Sequence, residues 1–442
     1  MAKIRIPPLL GMLCICCVAF MLGIVMFSCS PGAKTGKSAN PPNIVFIMAD
    51  DLGYEGLGCN GSTSYQTPNL DELAWTGVRF THCFSTPLCT PSRVQIMTGK
   101  YNFRNYTEFG SLQPGETTFA HLLKEAGYAT CVAGKWQLAG HYEGSNYHGV
   151  GTLPDEAGFD EHCLWQVDKL GSRYWDPVIQ QNGVLLEGLG GRYGPDVVSD
   201  FIVDFIQRHR EERFLVYYPM ILTHGPFVPT PLDSPSEEER DAGDTGNFVS
   251  MVAYVDLLVG RIMKALDDLG LRKDTWVVFT CDNGSPRAIS SQMDSRMIAG
   301  RKGYTTDAGT HVPLIVNRPG LVPKGHICDD LIDFTDLFPT LLQAAGIDPP
   351  VSTAMDGRSF LPQVLGQDGD PRAWIFCHYD PRWGQWTLRR YAQDKHWKLY
   401  GDGTFFDLKS DPLEERPLPV DKMDGEAVEA RIKLQDVLNT MQ

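Results

Sequence analysis

The stretch Asn43-Ile44-Val45-Phe46-Ile47-Met48-Ala49, followed directly by Asp50-Asp51, decides the fold that this sequence predicts. A run that is apolar at almost every position predicts a strand covered by other elements on both faces, as in a parallel sheet. The two carboxylates then stand at the carboxyl end of a central strand, where α/β sheets hold their ligands. The stretch therefore predicts an α/β protein with a functional site at this edge of the sheet.

The rest of the chain alternates strand-like and helix-like segments. Strands are predicted at 128–133, 214–220, 276–280 and 312–316, and helices at 67–77, 114–127, 197–210, 248–269 and 334–345. This alternation predicts a large mixed β-sheet sandwiched by helices, within a catalytic domain at 43–370. Residues 140–195 have low periodicity and are predicted to be glycine-rich loops. Short aromatic strands and a helix from about Gly425 predict a smaller C-terminal α+β domain at 371–442.

Four residues after these strands carry oxygen ligands only. Asp50 and Asp51 follow the first strand, and Asp282 and Asn283 follow the strand at 276–280. Hard oxygen ligands suit Ca²⁺ or Mg²⁺ and argue against zinc or copper. Each pair taken alone is more often a turn or a helix cap. Their shared position after buried strands predicts a metal site.

A second stretch, Leu88-Cys89-Thr90-Pro91-Ser92-Arg93, precedes Val94-Gln95-Ile96-Met97-Thr98-Gly99. It predicts a loop that enters a short helix capped by Thr90, with Pro91 in its first position and Gly99 at its end. Cys89 would then lie just before the positive end of the helix, within one turn of Arg93. This arrangement suits attack on an anionic ester, whereas a lone cysteine is more often a buried structural residue.

The string Cys-x-Pro-Ser-Arg with Thr-Gly close behind resembles the signature of the type I, arylsulfatase-like sulfatases of the alkaline phosphatase superfamily. Three more strings match that family in chain order: Gly134-Lys135-Trp136, Thr223-His224-Gly225-Pro226-Phe227 and Lys302-Gly303. The resemblance implies an alkaline-phosphatase-like fold. It also implies hydrolysis of sulfate monoesters, and family analogy together with export favours a sulfated carbohydrate as substrate.

The resemblance assigns a role to each matching residue. Cys89 would be oxidised to formylglycine by a formylglycine-generating enzyme, and its hydrated form would attack sulfur. The implied ligands of a divalent cation, usually calcium, are Asp50, Asp51, Asp282, Asn283 and the modified Cys89. The implied sulfate-binding and catalytic residues are Arg93, Lys135, His224 and Lys302, with His224 as the acid for the leaving oxygen.

Two positions depart from the family pattern. Gln137 stands where the family commonly has a histidine that assists the last step, and an amide cannot take a proton. His141 lies nearby in sequence and is either its substitute or a surface residue. His311 stands where the family often has an arginine. Both departures are expected to alter rate or pH dependence without abolishing the reaction.

The N-terminal residues and the net charge indicate where the protein is located and which partners it can bind. Lys3 and Arg5 precede an apolar run at 9–27, so residues 1–29 are predicted to be an export signal, with a linker at 30–42. Cys29 resembles the acylated cysteine of a bacterial lipoprotein, and a retained signal anchor is the alternative. The protein is expected in the periplasm or cell envelope. Its net charge of −15 argues against nucleic-acid binding.

Two alternative functions stay open at this point. One is a phosphonate or phosphate monoester hydrolase of the same superfamily, and the other is an inactive, envelope-anchored binding protein, supported only by Gln137.

Two structural questions also stay open. The aromatic segment 141–192, with Trp165, Tyr174 and Trp175, forms either a wall of the substrate site or part of the core. Eight cysteines lie beyond the export signal, and one disulfide is expected among them.

Overall fold

The computed structural model describes residues 41–140, 149–167, 169–350 and 353–441. The predicted export signal with Cys29, most of the linker, and His141 lie outside those residues. From Pro41 onward the chain forms one compact unit. In the part of the chain that is described, no helix has both the length and the apolar character needed to cross a bilayer.

A ten-stranded mixed sheet forms the centre of this unit. Its middle strand β1 (Asn43–Ala49) pairs in parallel with β7 (Phe214–Pro219) and β8 (Thr275–Cys281). The other strands of this sheet are β2 (Val78–Phe84), β3 (Ala129–Lys135), β4 (Glu161–Trp165), β5 (Ile179–Gln181), β6 (Val184–Leu185), β11 (His311–Asn317) and β12 (His326–Asp333). The strand order is β12-β2-β11-β8-β1-β7-β3-β4-β5-β6, and β9 (Ser290–Met293) with β10 (Arg296–Ala299) forms a separate hairpin.

Helices cover the sheet in two groups. The described helices are α1 (Pro68–Trp75), α2 (Cys89–Thr98), α3 (Asn102–Asn105), α4 (Phe119–Glu125), α5 (Gly194–Arg208), α6 (Asn247–Asp268), α7 (Asp307–Thr310), α8 (Leu337–Ala344), α9 (Leu361–Val364) and α10 (Gly425–Thr440). Helix α6 packs against both α1 and α5, while α2, α4 and α8 pack against one another. All seven residues of β1 are buried, as a strand covered on both faces must be. The predicted α/β fold with a large mixed sheet is confirmed.

The prediction was wrong for several strands. Residues 140–195, predicted as loops, contain β4, β5 and β6, and the sequence pattern did not indicate β2 or β12. Strand β2 alternates buried with half-buried residues and carries Arg79 and His82, so it lacks the apolar run that marks β1. Strands β5 and β6 are too short to show a period of their own.

Helix α2 begins two residues earlier than predicted. Cys89 is its first residue, Leu88 stands at the N-cap position, and the expected Thr90 cap is wrong. The Thr90 hydroxyl instead accepts a hydrogen bond from the Gly110 backbone N–H at 3.1 Å. Gly99 ends the helix with a φ of 67°, in the left-handed region that favours glycine, as predicted. Every residue of α2 is buried, which places Cys89 inside the protein.

Gly134 shows why a glycine precedes Lys135. Its φ is 127°, and a Cβ at this position would lie only 1.9 Å from the carbonyl oxygen of Pro219 at the end of β7. Only a residue without a side chain lets β3 approach β7 this closely. The glycine therefore sets where the next residue, Lys135, leaves the sheet.

The C-terminal residues form the predicted small antiparallel sheet with one helix. Its strands are β13 (Ile375–Tyr379), β14 (Arg389–Gln393), β15 (Trp397–Tyr400) and β16 (Phe405–Asp407). Leu434 and Leu438 of α10 pack in one apolar cluster with Phe376 and Leu399 of this sheet. A second cluster joins Tyr379 and Tyr391 to residues at the start of α2, including Leu88 and Cys89. The α+β arrangement is confirmed, and the domain boundary at 370/371 stays a prediction.

The expected disulfide is not formed within the described chain. The eight described cysteines are all free thiols: Cys59, Cys83, Cys89, Cys131, Cys163, Cys281, Cys328 and Cys377. Cys59 is the least buried of them, and burial followed by the charge of Asp71 raises its pKa to about 12. The thiols therefore contribute apolar packing here, as buried free cysteines commonly do.

Candidate active site

The carboxyl ends of four neighbouring parallel strands bring most of the predicted residues together. Asp50 and Asp51 follow β1, and Asp282 follows β8. Lys135 is the last residue of β3, and His224 follows β7 after a short loop. Parallel strands end at the same edge of a sheet, so residues that are far apart in sequence meet there. The backbone N–H of Asp51, for example, donates to Asp282 Oδ1 at 3.1 Å, across 231 positions.

Three carboxylates face three cations in this cluster. Lys135 Nζ lies 2.7 Å from Asp50 Oδ2, and Lys302 Nζ lies 2.5 Å from Asp51 Oδ2. The third pair joins Arg93 Nη2 to an Asp282 carboxylate oxygen at 2.9 Å. The pairs are buried or nearly so, which makes their mutual attraction stronger than at a surface. A divalent cation added to this balanced set would leave the site positive, which suits an anionic ester.

Arg93 is fixed by more than its ion pair. Its Nη1 donates to the backbone carbonyl of Lys135 at 3.1 Å, while Nη2 also lies 4.0 Å from Asp50. Burial alone would lower the pKa of Arg93, but Asp282 and Asp50 outweigh burial and hold that pKa above its usual range. Arg93 therefore stays charged and joins β1, β3 and β8 beneath the site.

Two buried oxygens fit a bound metal ion. Asp50 Oδ1 and Asn283 Oδ1 have no hydrogen-bond partner, although both residues are fully buried. The Asn283 amide nitrogen donates to Asp51 Oδ1 at 2.8 Å, which identifies its unpartnered atom as the carbonyl oxygen. Ligand atoms of Asp50, Asp51 and His224 lie within 4.8 Å of one another. Because buried polar atoms are normally partnered, these oxygens fit coordination of Ca²⁺ or Mg²⁺.

The carboxylates in this cluster titrate in opposite directions. Burial alone would raise the pKa of Asp50, but the positive charges of Lys135 and Arg93 outweigh burial and hold that pKa well below its usual range. Burial, and then the neighbouring charge of Asp50, raise the pKa of Asp282. Of these two carboxylates, Asp50 is the one that is held in its charged form.

Cys89 is a poor thiolate nucleophile as it stands. Its side chain is almost completely buried, and its Sγ lies 3.3 Å from the Gln137 amide oxygen. Burial raises the pKa of the Cys89 thiol, although Lys135 and Lys302 act in the opposite direction. The geometry places Gln137 directly against Cys89, where the family commonly has a histidine.

His224 is neutral in this environment. Its Nε2 lies 3.8 Å from Asp51 Oδ2. Burial, followed by the positive charge of Lys302, lowers the pKa of His224 to about 3 despite the opposing effect of Asp51. A neutral imidazole carries one N–H, so His224 can donate to a leaving oxygen only when that proton is on the nitrogen that faces the site.

A cavity of about 340 Å³ opens above these residues. Its lining includes Cys89, Lys135, Gln137, His224 and Lys302, together with Phe109, Trp165, Leu170, Arg173, Trp383 and Trp386. Of the three aromatic residues singled out in the sequence, Trp165 lines the cavity, whereas Tyr174 and Trp175 pack in the core. Sequence reasoning missed Arg173, Trp383 and Trp386, which lie on loops without a recognisable motif.

Comparisons with known proteins agree with this geometry. The sulfatase sequence profile matches residues 42–347, and the profile of the C-terminal region of N-sulphoglucosamine sulphohydrolase matches residues 301–441. Human arylsulfatase A is 33% identical over 374 residues, which cover 77% of this chain and 71% of that protein.

Two solved structures share the fold. One is a protein described in the metabolism of multiple glycosaminoglycans by Bacteroides thetaiotaomicron, with 25% identity and a TM-score of 0.73 over 91% of this chain and 99% of that one. The other is the phosphonate monoester hydrolase of Agrobacterium radiobacter, with 20% identity and a TM-score of 0.69 over 90% and 95% of the two chains.

The fold and the site together define a hydrolase of the alkaline-phosphatase-like class. The chain belongs to the sulfatase family, and it is a sulfuric ester hydrolase. Members of this family generally use a formylglycine and a divalent metal ion. The predicted family, fold and enzyme class are thereby confirmed.

His311 occupies the position where the family often has arginine, and the structure holds it as a cation. Its Nε2 lies 2.9 Å from the Thr81 carbonyl and its Nδ1 lies 3.3 Å from Asp307 Oδ2. Both partners are acceptors, and only the imidazolium offers two N–H donors. Burial alone would lower the pKa of His311, but Asp307 and Thr81 outweigh it and raise that pKa above 6.5. The ring also stacks on Tyr54 at 4.2 Å.

This arrangement predicts a pH-dependent contribution to stability. A pKa raised in the folded state stabilises it fully below the unfolded value of 6.5, and this contribution is lost as pH rises through the folded value. We expect His311→Gln to lower the free energy of unfolding by about 1–3 kcal/mol at pH 6 and by less at pH 9. Urea unfolding at both pH values measures this difference. His326→Gln, at the start of β12, is the control, and an equal loss at both pH values would contradict the prediction.

Proposed function

We propose that this protein hydrolyses sulfate monoesters of carbohydrates, using a formylglycine made from Cys89 and a Ca²⁺ or Mg²⁺ ion. The observation that carries the proposal is the pair of unpartnered buried oxygens, Asp50 Oδ1 and Asn283 Oδ1, in the same cluster as Cys89 and its cations. The proposed metal ligands are Asp50, Asp51, Asp282, Asn283 and the modified Cys89. In this role the metal supplies Lewis acidity and the formylglycine supplies the nucleophilic hydroxyl.

The side chains of the protein bind and orient the ester. Lys135 and Lys302 present ammonium groups to the cavity that contains Cys89, and they neutralise sulfate oxygens as negative charge develops. Arg93 acts from below, where its contacts with Asp282 and the Lys135 carbonyl hold it rigid. His224 lines the same cavity, and in this proposal it donates a hydrogen bond to the leaving oxygen.

The surroundings of the cavity favour a sugar, and one longer than a single unit. A second cavity of about 320 Å³ adjoins the first, and both are lined by Trp386. Its other lining residues include Tyr304, Tyr379 and Arg389, and Gly303 lines it while the preceding Lys302 lines the first. Aromatic faces and a few polar side chains are typical of sugar subsites. The glycosaminoglycan context of the Bacteroides thetaiotaomicron relative agrees with this substrate class.

The test of the function is a substrate panel on protein produced together with a formylglycine-generating enzyme. Nitrophenyl sulfate, phosphate and a phosphonate monoester are compared with mono- and oligosaccharide sulfates, each with and without chelator. Sulfate release that is highest on the sugar sulfates and is lost with chelator supports the proposal. Highest turnover of the phosphonate would establish the alternative hydrolase, and no turnover of any ester would favour a binding protein.

The second cavity predicts a chain-length effect at Trp386. We expect Trp386→Ala to lower kcat/KM for a sulfated oligosaccharide roughly 3- to 10-fold, the value of one aromatic contact. Nitrophenyl sulfate should change less, because it fills only the first cavity. The control is Trp75→Ala, an exposed tryptophan on α1. Equal losses on both substrates would show that Trp386 supports the active site and does not bind a second sugar.

We also propose that the protein is exported and held at the cell envelope through a lipid on Cys29. The support is the sequence of the first 29 residues, in which Lys3 and Arg5 precede the apolar run. Fractionation of the native source tests this location. A Cys29→Ser variant that stays in the membrane fraction would indicate a retained signal anchor.

A further inference from the structure

One side chain that the sequence did not single out reaches His224. Arg173 lies in the loop between β4 and β5, and its Nη1 is 2.8 Å from His224 Nδ1. It lines the cavity above the site together with Cys89 and Lys302. This contact is on the ring nitrogen opposite the one that approaches Asp51. Arg173 therefore acts on the imidazole from behind, relative to the sulfate-binding residues.

Several contacts within this loop hold Arg173 in place. Its guanidinium stacks over the buried Trp165 ring at 4.0 Å, a cation–π contact. Trp165 Nε1 donates to the Gly171 carbonyl at 3.0 Å, and the Val178 N–H donates to the Ser172 carbonyl at 2.8 Å. The neighbouring Tyr174 hydroxyl donates to the backbone carbonyl of His224. The loop thus fixes the backbone of His224 and places the Arg173 guanidinium against the imidazole ring of His224.

His224 Nδ1 has two neighbours with opposite requirements. The Gly225 carbonyl oxygen lies 2.7 Å away and can only accept, whereas Arg173 Nη1 can only donate. If Nδ1 carries the proton, it donates to the Gly225 carbonyl, and the Arg173 N–H then faces the N–H of the ring. If Nε2 carries the proton, Nδ1 accepts from Arg173. A charged donor makes roughly twice as strong a hydrogen bond as a neutral one, so the second arrangement is favoured.

We propose that Arg173 is a positioning residue that selects the Nε2–H tautomer of His224 and so keeps a donor facing the leaving oxygen. This inference rests on the proposed function. When the sulfur–oxygen bond breaks, its electron pair moves to the leaving oxygen, and Nε2–H donates to that oxygen. The leaving oxygen takes its proton from water, so neither His224 nor Arg173 loses one.

Removing the guanidinium should reverse the tautomer. Without Arg173, the Gly225 carbonyl is the remaining partner of Nδ1, so the proton moves there and Nε2 presents a lone pair to the leaving oxygen. The cost depends on the leaving group. The alkoxide of a sugar needs the donor, whereas nitrophenolate is stable without it.

The experiment compares Arg173→Met with Arg240→Met, whose guanidinium lies 4.8 Å from the ring of Trp175 and serves as the matched control. We expect Arg173→Met to lower kcat on a sugar sulfate roughly 100-fold or more, and kcat on nitrophenyl sulfate by less than about 3-fold. Arg240→Met should change neither. Should Arg173→Met fail to fold, Arg173→Gln removes the guanidinium with a polar side chain instead.

The tautomer itself is read by ¹⁵N NMR of histidine-labelled protein, with the His224 signals assigned by their loss in His224→Gln. Wild-type protein should show the protonated-nitrogen shift at Nε2, and Arg173→Met should show it at Nδ1. Protonation at Nδ1 in the wild type, an unchanged tautomer in the variant, or equal losses on both sulfates would overturn the proposal. If wild-type protein hydrolyses no sulfate, the proposed function fails while the NMR result still decides the tautomer.

Discussion

Cys89→Ala is expected to lower kcat/KM on nitrophenyl sulfate by at least ~10⁴-fold, because it removes the only precursor of the proposed nucleophile. The catalysis that remains after a nucleophile is removed comes from the surrounding cations and from substrate binding. The variant should still fold, since the side chain lies in an apolar cluster with Leu88 and Phe109 that alanine also suits. A steady-state assay with a melting curve measures both properties.

The matched control is Cys377→Ala, which removes another buried thiol from the same apolar cluster. It should lose stability at most and keep its kcat. Mass spectrometry of the peptide that spans Cys89 gives an independent readout, because the aldehyde lacks the sulfur atom. Full activity of protein whose Cys89 is an unmodified thiol would contradict the proposed mechanism.

Asp50→Asn is expected to have the second largest effect, a loss of roughly 10³-fold or more in kcat/KM. The amide keeps the shape of the side chain but removes the charge that Lys135 neutralises at 2.7 Å and that a metal ion requires. Calcium should also stop protecting the fold. In the wild type, Ca²⁺ at 100 times its Kd adds about 2.7 kcal/mol to the free energy of unfolding, and the variant should gain almost none at the same concentration.

Melting curves with and without calcium separate metal binding from simple destabilisation. The control is Asp256→Asn, since Asp256 is another buried carboxylate, which accepts from the Leu70 N–H at 2.8 Å at the start of α1. That variant should melt earlier yet keep its calcium-dependent rise. A full calcium response in Asp50→Asn would remove Asp50 from the metal site. Loss of the response in both variants would mean that calcium acts elsewhere.

The sequence by itself was enough to predict the central strands of the sheet and the residues at its edge. Strand β1 could be predicted because burial on both faces demands an unbroken apolar run, which is a local property of the chain. Since parallel strands end together, Asp50, Lys135 and Asp282 could be placed at one edge before their contacts were known. The family strings added Cys89 and Lys302, and each of these residues lies in the cluster.

Only the tertiary structure decided which loops close over that edge. Arg173 meets His224 across 51 positions, and Trp386 reaches the cavity from the loop between β13 and β14. Neither residue belongs to a periodic pattern or a motif, because its position depends on how a whole loop packs against the rest of the protein. The unpartnered oxygens of Asp50 and Asn283 are likewise visible only when all neighbouring donors are in place. Local pattern therefore determined the central strands and their charged residues, while long-range packing decided the hydrogen bonds of those residues and the walls of the cavity above them.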